Sequence, residues 1–175
     1  MKLDELVDLV DDSGVVKHPR ISRAEVRKRK EELIAQGLYQ PIVIVVVLDD
    51  DGDVVAHVRG RSKGNDGQGE IDHVCGVISA GETWMQAAHR EAAEEIGVEL
   101  VDLTFVTAGV NCYQRHRTLA VARYSGRPAV VDESEVSRVF IASSHELGAL
   151  ADAGTSFVSG YFEDLTLAME RMMSV

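Results

Sequence analysis

Cysteine and aromatic residues are scarce in this chain, and their scarcity narrows what can hold the fold together. The two cysteines, Cys75 and Cys112, show neither the pattern of a disulfide framework nor the spacing of a zinc site. Aromatic residues make up only 5% of the sequence, whereas Val, Ile, Leu and Ala are plentiful. A chain of 175 residues can bury a sizeable aliphatic core without covalent staples.

Positive charge is also in short supply. The chain has 18 Lys and Arg residues against 29 Asp and Glu residues, for a formal net charge of −11. Nucleic-acid binding depends largely on cationic contacts with the phosphate backbone, so we expect no nucleic-acid polymer as a partner. We expect instead a small phosphorylated substrate, recruited through local cations or a bound metal.

Long hydrophobic runs are absent. No apolar stretch approaches the roughly 18 residues of a membrane-spanning helix, and the first residues do not read as a signal peptide. We therefore expect a cytoplasmic protein without a membrane partner. The length predicts a single domain over residues 1–175, with residues 1–38 as an N-terminal hairpin and helix extension. A homodimer is left open.

The most informative stretch covers residues 76–98. Thr83 followed three residues later by Gln86 is typical of a capping box, and Gly97 is a natural helix stop. The stretch therefore predicts a helix over residues 84–96. Helical spacing places four apolar residues in one stripe that should face the core: Met85, Ala88, Ala92 and Ile96.

Three carboxylates, Glu91, Glu94 and Glu95, should flank that stripe. Arg90 stands one turn before Glu94 and can pair with it. Carboxylates held this close raise one another's pKa unless a divalent cation offsets their charge. Oxygen ligands suit Mg²⁺ or Mn²⁺ better than zinc. The alternative is a solvated acidic helix face.

The same stretch resembles the Nudix box. The fixed positions of that motif are filled by Gly76, Glu82, Arg90, Glu91, Glu94, Glu95 and Gly97. The only departure is Ala92, where the motif has a bulky aliphatic residue. The resemblance implies an α+β fold with a mixed β-sheet sandwiched between helices. It also implies hydrolysis of a diphosphate linkage in a substrate of the nucleoside diphosphate type.

The resemblance further implies the roles of individual residues. Glu91, Glu94 and Glu95 would hold Mg²⁺, for which Mn²⁺ can substitute, and the backbone carbonyl of Cys75 would complete the ligand set. Glu82 would support the cluster, and Arg90 would orient a glutamate. The general base is left open between Glu94, Glu95 and an acidic residue of a later loop, for which the candidates are Asp132, Glu133 and Glu135.

The remaining patterns predict the other elements. A small hairpin is expected over residues 6–10 and 15–17, and an exposed helix is expected over residues 23–36. An aliphatic run at residues 42–48 predicts a buried strand, paired through a turn with residues 54–58. Further strands are expected at residues 100–108, 118–124 and 136–142. Helices are expected at residues 143–151 and after Gly160.

Two groups of cations lie outside the motif. A glycine-rich loop contains Arg59, Arg61 and Lys63, which are candidates to bind substrate phosphate. The alternative for this loop is a plain surface connection. The run of cations at residues 27–30 is followed by Glu31 and Glu32, which favours a solvated helix face.

A narrower resemblance gives the main alternative function. Cys75 stands immediately before Gly76, as the catalytic cysteine does in the Nudix branch related to isopentenyl diphosphate isomerase. That enzyme also has two histidine metal ligands, and their places here are occupied by Val77 and Gln40. Isomerase is therefore the second candidate. A non-catalytic Nudix-fold binding module is the third, disfavoured because every glutamate of the box is present.

Overall fold

The strand Pro41–Leu48 (β3) lies at the centre of the fold. The computed structural model describes residues 5–61 and 67–174, and every residue of β3 is buried. Successive side chains of a strand point to opposite faces, so Val43, Val45 and Val47 pack in one layer of the core and Ile42, Ile44 and Val46 in the other. A strand buried on both faces needs a covering layer on each side.

The other elements follow in chain order. The strands are β1 (Leu6–Val10), β2 (Val16–Ser22), β4 (Val54–Arg59), β5 (Ile71–Asp72), β6 (Val74–Val77), β7 (Glu99–Val110), β8 (His116–Ser125) and β9 (Val136–Ala142). The helices are α1 (Arg23–Lys28), α2 (Lys30–Ala35), α3 (Trp84–Glu95), α4 (Ser144–Asp152) and α5 (Tyr161–Met173).

The main sheet is mixed. Strand β3 runs parallel to β8 and antiparallel to β6 and β4, with Ile44 opposite Cys75 in the β6 pairing. Strand β7 pairs with β8, and β4 pairs with both β5 and β9. The hairpin of β1 and β2 forms a separate two-stranded sheet.

Helices cover both faces of the main sheet. Helix α3 packs through Ala88, Ala92 and Ile96 against the face that carries Val43 and Val45. The opposite face is covered by the β1–β2 hairpin and by α1, α2, α4 and α5. The predicted α+β arrangement, a mixed sheet between helices, is thus confirmed.

Most of the predicted elements are present, with three differences. Strand β2 (Val16–Ser22) continues well beyond the predicted residues 15–17. The helix expected over residues 23–36 is divided at Arg29, which ends α1 and precedes α2. Strands β5 and β6 were not predicted, because two and four residues are too few for a periodic pattern to stand out. Within the described ranges, no helix is both long enough and apolar enough to cross a membrane.

Candidate active site

Helix α3 begins and ends as the sequence predicts. The Thr83 hydroxyl accepts a hydrogen bond from the Gln86 amide (3.3 Å), and the Gln86 side chain accepts one from the Thr83 amide (2.9 Å). Gly97 adopts a φ of 69°, the left-handed conformation that suits a helix end. The prediction that Met85 belongs to the buried stripe was wrong, since this side chain is 49% exposed. The buried face contains the predicted Ala88, Ala92 and Ile96, together with two glutamates that the purely apolar pattern left out.

Glu91 and Glu95 are the two buried carboxylates of α3, only 9% and 1% exposed. Both face strand β6. Glu95 accepts a hydrogen bond from the backbone N–H of Cys75 (3.0 Å). Glu91 lies against Gly76 so closely that a Cβ atom on that glycine would be 1.8 Å from the carboxyl carbon. Glycine is therefore required at residue 76 by the approach of the helix to the strand.

Arg90 connects the carboxylates. Its Nε and Nη2 atoms donate to the two oxygens of Glu82, each at 2.9 Å, and its Nη1 atom donates to Glu91 at 2.6 Å. Nη2 also donates to the Val77 carbonyl at 2.9 Å. The expected pairing with Glu94 exists but is long, at 3.6 Å. The principal partner of Arg90 is Glu82, which lies in the loop before α3.

The loop that carries Glu82 is held by the N-terminal hairpin. The Ala80 amide donates to the Leu6 carbonyl (2.8 Å), and the Gly81 amide donates to the Asp8 carboxylate (2.9 Å). The Ser79 hydroxyl donates to Glu5 (2.8 Å), while the Ser79 amide donates to Glu82 (2.9 Å). Sequence reasoning missed these hairpin contacts, because isolated acidic residues in a short strand form no motif.

The burial of these groups changes their acid–base behaviour. Burial and the neighbouring charge of Glu95 raise the pKa of Glu91 to about 7, although Arg90 acts in the opposite direction. Burial opposes ionisation of Glu82 as well, but hydrogen bonds from Arg90 and Ser79 leave its pKa lowered. Burial, with the charges of Asp72 and Glu95, raises the pKa of the Cys75 thiol well above its ordinary value, against the effect of Arg115.

The oxygen atoms here suit a hard cation, but their arrangement is not that of a finished ligand cage. Across residues 5–61 and 67–174, no three Asp, Glu, His or Cys side chains lie close enough together to hold a metal ion. The Glu94 side chain is 56% exposed, and Glu91 and Glu95 are occupied by Arg90 and Cys75. The expected three-glutamate set needs at least Glu94 to turn toward the two buried carboxylates. The donor set still fits Mg²⁺ or Mn²⁺, because carboxylate and carbonyl oxygens are the ligands that these ions prefer.

A cleft of about 630 Å³ lies on the opposite side of β6 from α3. Its walls come from α2, β3, β4, β5, β6, β8, the turn between β7 and β8, and the start of α5. This volume is within the ordinary range for a small-molecule site. The Cys75 side chain lines the cleft while its amide binds Glu95. Cys75 therefore joins the cleft to the carboxylate cluster.

Two arginines in the cleft are paired with buried carboxylates. Arg59 donates to Asp72 at 2.6 Å, and Arg117 donates to Asp164. The predicted cation Arg61 is exposed, and Lys63 lies outside the described residues. The sequence did not indicate either carboxylate partner, since Asp72 and Asp164 are far from the arginines along the chain.

The later acidic loop is anchored beside these elements. The Ala129 amide donates to the carbonyl of Ile96 at the end of α3 (2.9 Å), and the Gly60 amide donates to the carbonyl of Glu135 (2.7 Å). Asp132 and Glu133 are exposed. The loop that carries the three base candidates is therefore tied both to the end of α3 and to the end of β4.

Comparison with known proteins gives a family match. The model of the NUDIX domain family matches residues 38–164. An uncharacterised Nudix hydrolase of Streptomyces coelicolor is 34% identical over 94 residues, which is 54% of this chain and 48% of the relative. The NAD-capped RNA hydrolase NudC of Escherichia coli O1:K1 is 30% identical over 117 residues, 66% of this chain and 43% of the relative. The chain spans about half the length, or less, of these curated relatives.

Solved structures show the same fold. The Deinococcus radiodurans protein DR0079 superposes with a TM-score of 0.71 at 19% identity, covering 93% of this chain and 98% of that protein. A MutT NUDIX hydrolase from Burkholderia pseudomallei superposes with a TM-score of 0.57 at 19% identity, covering 73% of this chain and 96% of that protein.

The close approach at Gly76 predicts a large penalty for a single methyl group. We expect Gly76→Ala to lower the free energy of unfolding by about 1–3 kcal/mol, because the methyl would overlap the Glu91 carboxyl group. Urea denaturation measures this. Gly109→Ala is the matched control, since a Cβ atom there has no neighbour within 4 Å. Equal stability of the two variants would contradict the observed packing.

The raised pKa of Glu91 predicts a pH dependence of stability in buffer free of divalent cations. The folded protein holds the Glu91 proton up to about pH 7, whereas the unfolded chain loses it near 4.5. The free energy of unfolding should therefore fall as the pH rises from about 4.5 to 7, by at most about 3 kcal/mol. Carboxyl-carbon NMR titration gives the pKa directly. Glu91→Gln should flatten this part of the pH profile, and an unchanged profile would assign it to another group.

Proposed function

The chain belongs to the NUDIX domain family, and on that premise we propose that it is a metal-dependent hydrolase of a diphosphate linkage. The substrate is a nucleoside diphosphate-type molecule or a related small phosphorylated compound. The observation that carries this proposal is the convergence of Glu82, Glu91 and Glu95 on Arg90 and β6, beside a cleft of substrate size.

The proposed ligands of Mg²⁺ or Mn²⁺ are Glu91, Glu94, Glu95 and the backbone carbonyl of Cys75. Two observations support this set. Burial and the neighbouring Glu95 charge raise the pKa of the Glu91 carboxyl group. A divalent cation would offset the repulsion between the two carboxylates. Glu94 lies one turn from Arg90 on the exposed side of α3, where its side chain can turn toward the buried pair. The bound ion would supply charge neutralisation of the diphosphate oxygens and a lowered pKa for water.

The chain's own residues have separate roles in this proposal. Arg90 fixes Glu91 and Glu82 through its hydrogen bonds, so that the carboxylates keep their positions. Glu94 is the proposed general base, because among the three carboxylates of the helix it is the exposed one that can receive a proton from water. The cleft holds the rest of the substrate. The sequence nominates Arg59, Arg61 and Lys63 as phosphate-binding cations, and of these Arg59 is in the described lining of the cleft.

Relatives widen the range of substrates that should be tested. The name of the E. coli relative states that it acts on NAD-capped RNA. The net charge of −11 here opposes extensive contact with an RNA backbone. We therefore propose a small molecule. A screen of phosphate release over nucleotides, dinucleotides, nucleotide sugars and prenyl diphosphates would identify it.

Isomerisation of a prenyl diphosphate is the alternative that one observation favours, namely the position of the Cys75 side chain in the cleft. Two observations oppose it, one from the lining of the cleft and one from the sequence. The lining includes Lys30, Arg59, Asp72, Arg115, Arg117, Glu163 and Asp164, which is a poor surface for a prenyl chain. The positions where the isomerase has histidine ligands hold Val77 and Gln40.

Hydrolysis should depend on a divalent cation and on the Glu95 charge. Glu95→Gln keeps the side-chain volume and an oxygen that can accept from the Cys75 amide. We expect it to raise the barrier by about 2–4 kcal/mol, measured as kcat/KM. Excess chelator should stop the wild-type reaction. Glu170→Gln, at an exposed position of α5, is the control. Wild-type turnover by Glu95→Gln, or full activity in chelator, would refute the proposal.

Replacement of Cys75 separates the two enzymatic candidates. If the protein is a hydrolase, only the backbone of Cys75 is used, so Cys75→Ala should keep phosphate release within a few-fold of wild type. If it is an isomerase, the thiol exchanges a proton with substrate carbon, and the change should abolish turnover. Cys112→Ala, which alters the other cysteine of the cleft, is the matched control. Isomerised product without released phosphate would decide for the alternative.

A further inference from the structure

The cationic side chains that line the cleft differ in whether they are already paired with a carboxylate. Arg59 and Arg117 are each bound to a buried carboxylate, and the Asp72 and Asp164 side chains are only 7% and 6% exposed. A phosphate that drew either guanidinium away from its partner would leave a buried carboxylate unpaired, which is costly. The other two Lys or Arg side chains in the described lining of the cleft are Lys30 and Arg115.

Hydrogen bonds fix the backbone of Arg115, whereas its guanidinium group stays available to bind a ligand. The Asn111 side chain accepts hydrogen bonds from the amides of Tyr113 and Arg115, both at 3.1 Å, and the Asn111 amide donates to the Arg115 carbonyl at 2.9 Å. These bonds fix the tight turn between β7 and β8. The Arg115 guanidinium makes no hydrogen bond or ion pair with the described part of the chain.

Lys30 and Arg115 also line a second, smaller cavity of about 90 Å³, which thus adjoins the cleft. The charged residues around this cavity are Arg23, Arg27, Lys30 and Arg115, and its described lining contains no carboxylate. Arg23 is bound to Glu5 at 2.5 Å, whereas Arg27 and Lys30 have no ion pair among the described residues. A cluster of unpaired cations in a chain of net charge −11 is a local reversal of the overall field.

Arg27 and Lys30 lie one helical turn apart, and both line this cavity. The intervening Arg29 is bound instead to Glu32 (2.7 Å) and Glu25 (3.6 Å). The acidic residues of this segment therefore neutralise Arg29 and not its neighbours. The sequence favoured a solvated face for the whole run of residues 27–30. In the structure Arg27, Lys28 and Lys30 are exposed, and within the described part of the chain Arg29 is the one cation of the run that is ion-paired.

We propose that Arg115, with Lys30 and Arg27 beside it, forms an anion-binding subsite that takes a phosphate group of the substrate. The subsite lies where the cleft meets the small cavity, and phosphate there need not break either buried ion pair. Planar guanidinium and flexible ammonium groups are the usual ligands of phosphate. The inference rests on the proposed function. It assigns the binding of a substrate phosphate to residues outside the motif of residues 76–98.

Kinetics test the subsite on whichever diphosphate substrate the protein hydrolyses. Arg115→Gln and Lys30→Gln should each raise KM about tenfold with kcat within a few-fold of wild type, the pattern of lost binding. Arg115→Lys should restore part of the loss. Arg171→Gln removes an exposed cation at the far end of α5 and should leave KM unchanged. An unchanged KM in Arg115→Gln, with hydrolysis intact, would refute the subsite and leave the proposed function standing.

A binding measurement tests the subsite without hydrolysis. Inorganic pyrophosphate is titrated into the intact protein in excess chelator and followed by amide NMR. We expect shifts at Gln114 and Arg115, and a dissociation constant about tenfold larger in Arg115→Gln than in wild type or Arg171→Gln. If no substrate is hydrolysed but pyrophosphate binding still requires Arg115, the proposed function fails and the subsite stands. Absent binding to the wild type, or equal binding by Arg115→Gln, would overturn the inference.

Discussion

The hydrogen bonds of one guanidinium organise the candidate site. Arg90 binds Glu82 in the loop, Glu91 on its own helix and the carbonyl of Val77 in β6. These partners come from three different elements, so their relative positions depend on a single rigid planar group. The pairing is strong because both carboxylates are shielded from water and the Arg90–Glu82 contact uses two parallel bonds. Lysine could not replace this geometry.

The N-terminal hairpin extends the same network beyond the part of the chain that the family model matches. That match begins at residue 38, yet the loop bearing Glu82 is held by Glu5, Leu6 and Asp8 through contacts with residues 79–81. A path of hydrogen bonds therefore runs from Glu5, just before β1, through Ser79 and Glu82 to Arg90. The hairpin also supplies Val7 and Leu9 to the core. A segment that looks like an extension in the sequence thus positions the central arginine.

Patterns that depend on local chemistry could be predicted from the sequence, and contacts between distant residues could not. The capping box of α3, the buried strand β3 and the strand Val136–Ala142 follow from neighbouring residues alone. The exposure of Met85 and the burial of Glu95 depend on how α3 rotates against β6, which the Gly76 contact sets. The pairs Arg59–Asp72 and Arg117–Asp164 join separate elements. No spacing rule links such residues, so the sequence nominated cations without showing which ones were already paired.

The alternation of the short strand β6 places the carboxylate cluster and the cleft on its two opposite faces. Val74 packs with the core beneath α3, and Gly76 lies against Glu91 on that same face. Cys75 and Val77 point to the opposite face, where Cys75 lines the cleft. Because neighbouring residues of a strand point in opposite directions, Gly76 is constrained by the carboxylate cluster, whereas the side chain of Cys75 packs against the core and lines the cleft. Cys75 thus contacts both sides of the strand, since its amide binds Glu95 while its side chain lines the cleft.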